Sequence, residues 1–370
     1  MGLRLALAAA LLLPPGAAAG RQTAPDCAAE GDLAYVCGPV KPEDVLAIPG
    51  TSWLIASGFA PGAGLKLIHG PTRRVVNGYA GRADQIAPDR VPGQACPGPV
   101  DPALFNTRGL SLRATGPGTW RLLVVNHGGR ESIEIFDVAA SAGQAGDEAT
   151  PRLIWRGCLL MPPGQVGNSV ASFADGTILV TVLTRPGTSI ADFVAGRSTG
   201  GVWQWRPARP HFRLLPGTDL PGNNGLETDP DERHFYVVAF GWHAVLMFDR
   251  QDTRRPVARI DAPDFMPDNI HWTGGRLLLA GMRLDEPACG GLRTVIDGVA
   301  DPMTCHRGWV VGELDLQNKR IATVAYGRPQ AGFNGLSAAA ILDHELWLGS
   351  YQSSRLAVVR LDPAEGGTGP

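Results

Sequence analysis

Glu43, Asn168, Asn224, Asp268 and Asn269 offer carboxylate and carboxamide oxygens at equivalent points of a recurring phrase. Each stands at or beside the start of an apolar run, as in Asn224-Gly225-Leu226 or Asp268-Asn269-Ile270. Taken singly, such residues are ordinary turn formers. Jointly they would gather two carboxylates and three amide oxygens at one point, with room for water. No lysine occupies these positions, and the lone Arg108 cannot neutralise two acids. Buried carboxylates are costly unless paired or metal-bound, and a hard-oxygen set of this kind suits Ca²⁺. No Gly-x-Ser-x-Gly occurs, so a serine nucleophile is not indicated.

The elements that must position these residues follow from the repeat. Its copies begin at Glu43, Arg108, Asn168, Asn224, Asp268 and Asn334, about 45 to 65 residues apart. That period predicts an all-β, six-bladed β-propeller of four-stranded blades, whose innermost strands converge on one axis. The fourth copy reads as strands at 226–228, 235–239, 244–248 and 257–260, with the turn Asp229-Pro230-Asp231-Glu232 after the first. Alternation such as Val202-Trp203-Gln204-Trp205 supports strands, and no amphipathic helix of ordinary length appears. The propeller is expected over 43–362, after a separate N-terminal segment at 20–42 and before a disordered tail at 363–370.

Long insertions at 81–107, 183–200 and 283–308 fall on loops at the same face as the strand starts. Gathered there, they predict a lid around a site, with one helical turn at 189–194. Gly241-Trp242-His243 lies on another loop of that face, so Trp242 and His243 are candidate substrate contacts, and His243 a second candidate base.

Composition bounds the rest. The chain is 44% hydrophobic and 18% charged, with 48 glycines and 31 prolines, which suits many short strands joined by turns. A net charge of −2 without a basic run gives no footprint for nucleic acid. Only Lys41, Lys66 and Lys319 are lysines among 33 basic residues, as in a GC-rich bacterial gene. Residues 1–19 read as a secretory signal peptide: Arg4, an apolar run over 5–13, then Ala17-Ala18-Ala19. The run is too short to span a bilayer, so a periplasmic or secreted protein is expected, with a monomer as the default.

All six cysteines follow the signal. An even count in an exported chain points to disulfides rather than zinc, for which no Cys-x-x-Cys exists. Proximity in sequence suggests Cys27–Cys37 and Cys289–Cys305. Loop geometry between adjacent blades suggests Cys96–Cys158.

The phrases Glu43-Asp44-Val45-Leu46-Ala47-Ile48-Pro49, Val124-Val125-Asn126-His127, Ile133-Glu134-Ile135-Phe136, Asn224-Gly225-Leu226 and Pro267-Asp268-Asn269-Ile270 resemble the paraoxonase/arylesterase family and the wider gluconolactonase, senescence-marker-protein (regucalcin-like) superfamily. The likeness covers roughly 35–362. It implies a six-bladed propeller with a catalytic Ca²⁺ in the central tunnel, hydrolysing a small lactone or ester. It also places Glu43, Asn168, Asn224, Asp268 and Asn269 at the metal-ligand positions. A second, structural Ca²⁺ is implied by Asp44, but Ser169 stands where another Asp is expected. His127 matches one member of the family's histidine pair, and Arg108 replaces the other. A guanidinium is no base near neutral pH, although it can hold a carboxylate or phosphate. Water would therefore be activated by His127, or by Asp268 in its place. Two alternatives stay open: a non-catalytic ligand-binding propeller with a structural calcium, and a strictosidine-synthase-like enzyme of other chemistry.

Overall fold

Short runs of alternating or continuous apolar residues, punctuated by glycine and turn formers, fold into six four-stranded antiparallel sheets. The computed structural model describes residues 27–89, 96–140 and 149–361. The expected signal peptide and C-terminal tail lie outside them. Among the described residues no helix is long and apolar enough to cross a membrane.

Blades one to four are simple meanders. In the fourth, strands Asn223–Thr228, His234–Ala239, Ala244–Asp249 and Ala258–Asp261 follow in order, much as the sequence predicts. The fifth blade is interrupted by its insertion, which forms a small ribbon of Val295–Ile296 and Val299–Ala300. The sixth differs from expectation. Its outer strand is Ala34–Cys37, paired antiparallel with Arg355–Arg360, so residues assigned to a separate N-terminal segment belong to the propeller. The C-terminal three strands alone would leave an edge of unpaired N–H and C=O groups. The early strand covers that edge and ties the two ends of the ring together. Four residues are too few to announce this by pattern.

The core lies between blades, where Trp53, Trp155 and Trp347 are fully buried. All three expected disulfides form: Cys27–Cys37, Cys96–Cys158 and Cys289–Cys305.

The innermost strands carry the feature that makes the site. In blades two to six the register between first and second strands shifts at 107/110, 167/170, 223/226, 267/270 and 336/338. The extra residues are Arg108-Gly109, Asn168-Ser169, Asn224-Gly225, Asp268-Asn269 and Ser337. A bulge re-aims side chains that regular pleating would send into the blade, and these ones cluster at the axis. In the sixth blade the bulged residue is Ser337 rather than Asn334, with which the phrase opens. Asn334 instead binds the lid, its Nδ2 donating to the Met303 carbonyl and to Gln352.

Candidate metal centre and its cavity

All five expected ligands are buried. The Asn269 amide donates to the Glu43 main-chain carbonyl at 3.3 Å and to its Oε1 at 3.4 Å. Ser337 Oγ donates to the same carbonyl at 2.6 Å, and Thr181 Oγ1 donates to the Asn224 main-chain carbonyl at 2.7 Å. These bonds lock the backbone of the ring. The side-chain oxygens that remain are Glu43 Oε2, Asn168 Oδ1, Asn224 Oδ1 and Asn269 Oδ1, each buried without a hydrogen-bond partner. Buried polar atoms are rarely left so, and four in one ring make a set that a single cation would satisfy.

Electrostatics agree. Burial pushes Glu43 up to about 8, against the opposing pull of Arg108, with Asp268 and Asp44 raising it further. Burial likewise raises Asp268 to about 7, opposed by Arg108 and by a hydrogen bond from Asn224. Arg108 is the nearby cation, its Nε 3.5 Å from Glu43 Oε1. Its guanidinium also lies over Phe59, 4.5 Å from the ring centre, a contact independent of the acids. One such charge does not suffice for two buried carboxylates. The residues fit a divalent cation with a preference for oxygen.

The second ion implied by Asp44 does not fit. Its carboxylate accepts the Val45 N–H at 2.8 Å and the Leu110 N–H at 2.7 Å. His271 Nε2 lies 2.9 and 3.0 Å from its two oxygens. Burial disfavours a charged His271, but Asp44, with Glu227 Oε2 3.5 Å from Nδ1, outweighs it and pushes the ring up to about 10. An imidazolium thus fills the cationic role, and neutral Ser169 offers no replacement for an acid.

His127 is held by its neighbours. Its Nδ1 lies 2.8 Å from Glu131 Oε2, and its Nε2 is buried without a partner. Asn126 shapes the turn that presents it, donating to the carbonyls of Gly128 and Arg130. The ring meets Phe59 edge-on at 6.0 Å, so the same phenyl contacts both His127 and Arg108. Trp242 packs against the interior of blade four and carries Arg259 at 5.0 Å from its ring centre. His243 occupies a left-handed backbone position, its carbonyl accepting from Ala262. Burial, with Arg293 nearby, lowers its proton affinity.

A cavity of about 190 Å³ rises from the ring. Arg108, Asn224 and Asp268 line its base, and His127, Trp242 and His243 are not among its lining residues. Two of the three insertions supply walls: Leu183, Ile190 and Phe193 from the third blade, Arg293, Pro302 and Met303 from the fifth. The expected helical turn is Ile190–Val194, capped by Ser189, which accepts from the Asp192 N–H. The Cys289–Cys305 bridge brackets all three fifth-blade contributors. The first insertion does something else. Ala87 and Asp89 donate to the carbonyls of Trp155 and Arg156, so this stretch runs along the outer edge of blade two. Arg293 and Tyr351 were missed by sequence reasoning. Each stands alone in a loop, and only the fold shows that those loops meet.

No family model matches the chain, and no curated protein matches it. Solved structures do. A candidate gluconolactonase is 12% identical, with 90% of this chain and 94% of that chain covered and a TM-score of 0.50. A calcium-binding regucalcin from Agrobacterium tumefaciens str. C58 is also 12% identical, covering 90% and 97% with a TM-score of 0.48. A luciferin-regenerating enzyme is 11% identical, covering 89% and 97% with a TM-score of 0.48. The chain has the fold of the gluconolactonase structure. At these identities the likeness is one of fold.

Proposed function

We propose that this protein is an exported, calcium-dependent hydrolase of a small lactone or carboxylic ester. The observation that carries the reading is the ring of unpartnered buried oxygens beside two buried carboxylates, at the base of a walled cavity. Held by Glu43, Asn168, Asn224, Asp268 and Asn269, Ca²⁺ would polarise the substrate carbonyl and stabilise the negative charge that develops on its oxygen. Water adds to the acyl carbon and the acyl C–O bond breaks. The proton lost by water ends on the departing alkoxide, so a lactone gives a hydroxy acid. Asp268 lines the cavity and is the better-placed base, whereas His127 is not among the cavity's lining residues. The gluconolactonase fold neighbour is consistent with such a substrate, and three disulfides suit an oxidising compartment.

A hydrolysis screen over lactones, aryl esters and phosphotriesters tests this directly. Turnover should vanish on chelation and return with Ca²⁺. With Asp268 as base, His127→Gln should leave turnover within a few-fold of wild type. A loss on the order of 10²–10⁴-fold, typical of a removed general base, would return that role to His127.

One observation favours a second reading, a non-catalytic binding propeller: Arg108 replaces one histidine of the family's pair, and His127 is absent from the cavity wall. Binding without turnover in both wild type and Arg108→His would select it.

A further inference from the structure

The cavity holds more positive charge than the metal centre can use. Arg108 and Arg293 both line it. Arg293 comes from the disulfide-bracketed insertion, 5.9 Å from the Phe193 ring centre, and its Nε donates to the Asp301 main-chain carbonyl at 3.1 Å. Among the described residues no hydrogen bond engages its Nη groups. The neighbouring Arg307 is committed elsewhere: Nη1 donates to the Leu284 and Gly291 carbonyls at 2.9 Å, and Nη2 lies 3.5 Å from the Asp301 carboxylate. Once a divalent ion balances Glu43 and Asp268, Arg108 loses its counter-charge, and the Asp301 carboxylate near Arg293 is shared with Arg307. Two guanidiniums lining one small, partly enclosed cavity favour an anion between them.

We infer that the substrate carries an anionic oxygen group, carboxylate or phosphate, held by Arg293 and Arg108 while its reactive carbonyl points toward Asp268. The carbonyl placement rests on the hydrolase reading; the anion site rests on the two arginines and on the divalent ion that frees Arg108 from Glu43. Guanidinium forks match both anions bidentately. The other walls, among them Leu183, Ile190 and Phe193, suit a hydrocarbon body, and the volume limits it to a small molecule.

Calorimetry on the calcium-loaded protein tests this with three compounds that cannot undergo lactone hydrolysis: tetrahydrofuran-2-carboxylate, the matching phosphonate, and the neutral carboxamide. One of the anions should bind at least tenfold more tightly than the amide, and the tighter of the two identifies the class. Arg293→Gln should weaken that anion about 10- to 100-fold, the usual effect of losing a charge-assisted hydrogen bond. Arg293→Lys should weaken it less. Equal binding of amide and anions overturns the inference, and so does anion binding that ignores Arg293→Gln in protein with a wild-type melting temperature. Should Arg293→Gln fail to fold, Arg293→Lys decides: anion affinity unchanged from wild type, with charge kept but the fork lost, overturns bidentate capture. Turnover of 5-oxotetrahydrofuran-2-carboxylate separates the two readings. Anion binding without turnover defeats only the hydrolase proposal, while turnover of neutral lactones with no preference for the anionic one defeats only this inference.

Discussion

Glu43 and Asp268 are held away from water, and both carboxyls are raised in consequence, against the pull of nearby Arg108. Neutral isosteres make the ligand role measurable. In chelator, Glu43→Gln and Asp268→Asn should melt at or above the wild-type temperature, because each removes a buried negative charge. With Ca²⁺ the wild type should gain about 2.7 kcal/mol at a hundredfold excess over Kd, and the variants little or none. Equal calcium stabilisation of all three proteins in thermal melts would sink the ligand assignment. Asp44 and His271 behave differently, being partners already. Breaking a buried pair strands the other charge, so His271→Gln should cost about 3–5 kcal/mol in urea titrations, with or without calcium. A calcium stoichiometry of one per chain belongs to the same prediction.

At the scale of elements, the bulges decide which side chains reach the axis, and glycine decides whether adjacent innermost strands can approach. A Cβ on Gly225 would stand 2.5 Å from the Asp268 carbonyl oxygen and 2.8 Å from Asn269 Cα. A Cβ on Gly109 would stand 2.6 Å from Ser169 Cα. Both obstacles are backbone, which cannot swing aside as a side chain can. Gly225→Ala should therefore cost about 1–3 kcal/mol by overpacking. It should also weaken calcium binding, because the displaced strand carries two ligands. Stability loss with calcium affinity unchanged would show that the bulge tolerates movement without moving Asp268.

For the whole molecule, the buried acids tie stability to pH. Their folded-state values, about 8 and about 7, lie above those of the unfolded chain. Between the unfolded values near 4 and these folded values, the metal-free native state binds more protons than the unfolded state. Its stability should then fall as pH rises from 5 to 8. Calcium holds both acids ionised, so the loaded protein should lose less over that window, and binding should release protons. Scanning fluorimetry across this range, with chelator and with calcium, checks the sign. A metal-free protein that gains stability toward pH 8 would contradict it.

Six phrases at blade spacing already predicted the propeller, because a radial repeat must bury the same apolar pattern six times. They also marked Glu43, Asn168, Asn224, Asp268 and Asn269, since an oxygen-rich residue recurring before an apolar run is visible in one dimension. The cysteine pairs followed from spacing and blade order. Ala34–Cys37 could not be read as the closing strand, because its partner lies more than 300 residues away in sequence and its four residues carry no period. Nor could Ser337 be preferred to Asn334, since a one-residue shift of register reverses which side chains face the axis. The stacking of Arg108 on Phe59, the displacement of His127 from the cavity, and the meeting of Arg293 with Tyr351 depend on loops from different blades. Local sequence dictated each loop's length and turn residues. Only the closed ring, by fixing the distance between blades, decided which of those loops touch.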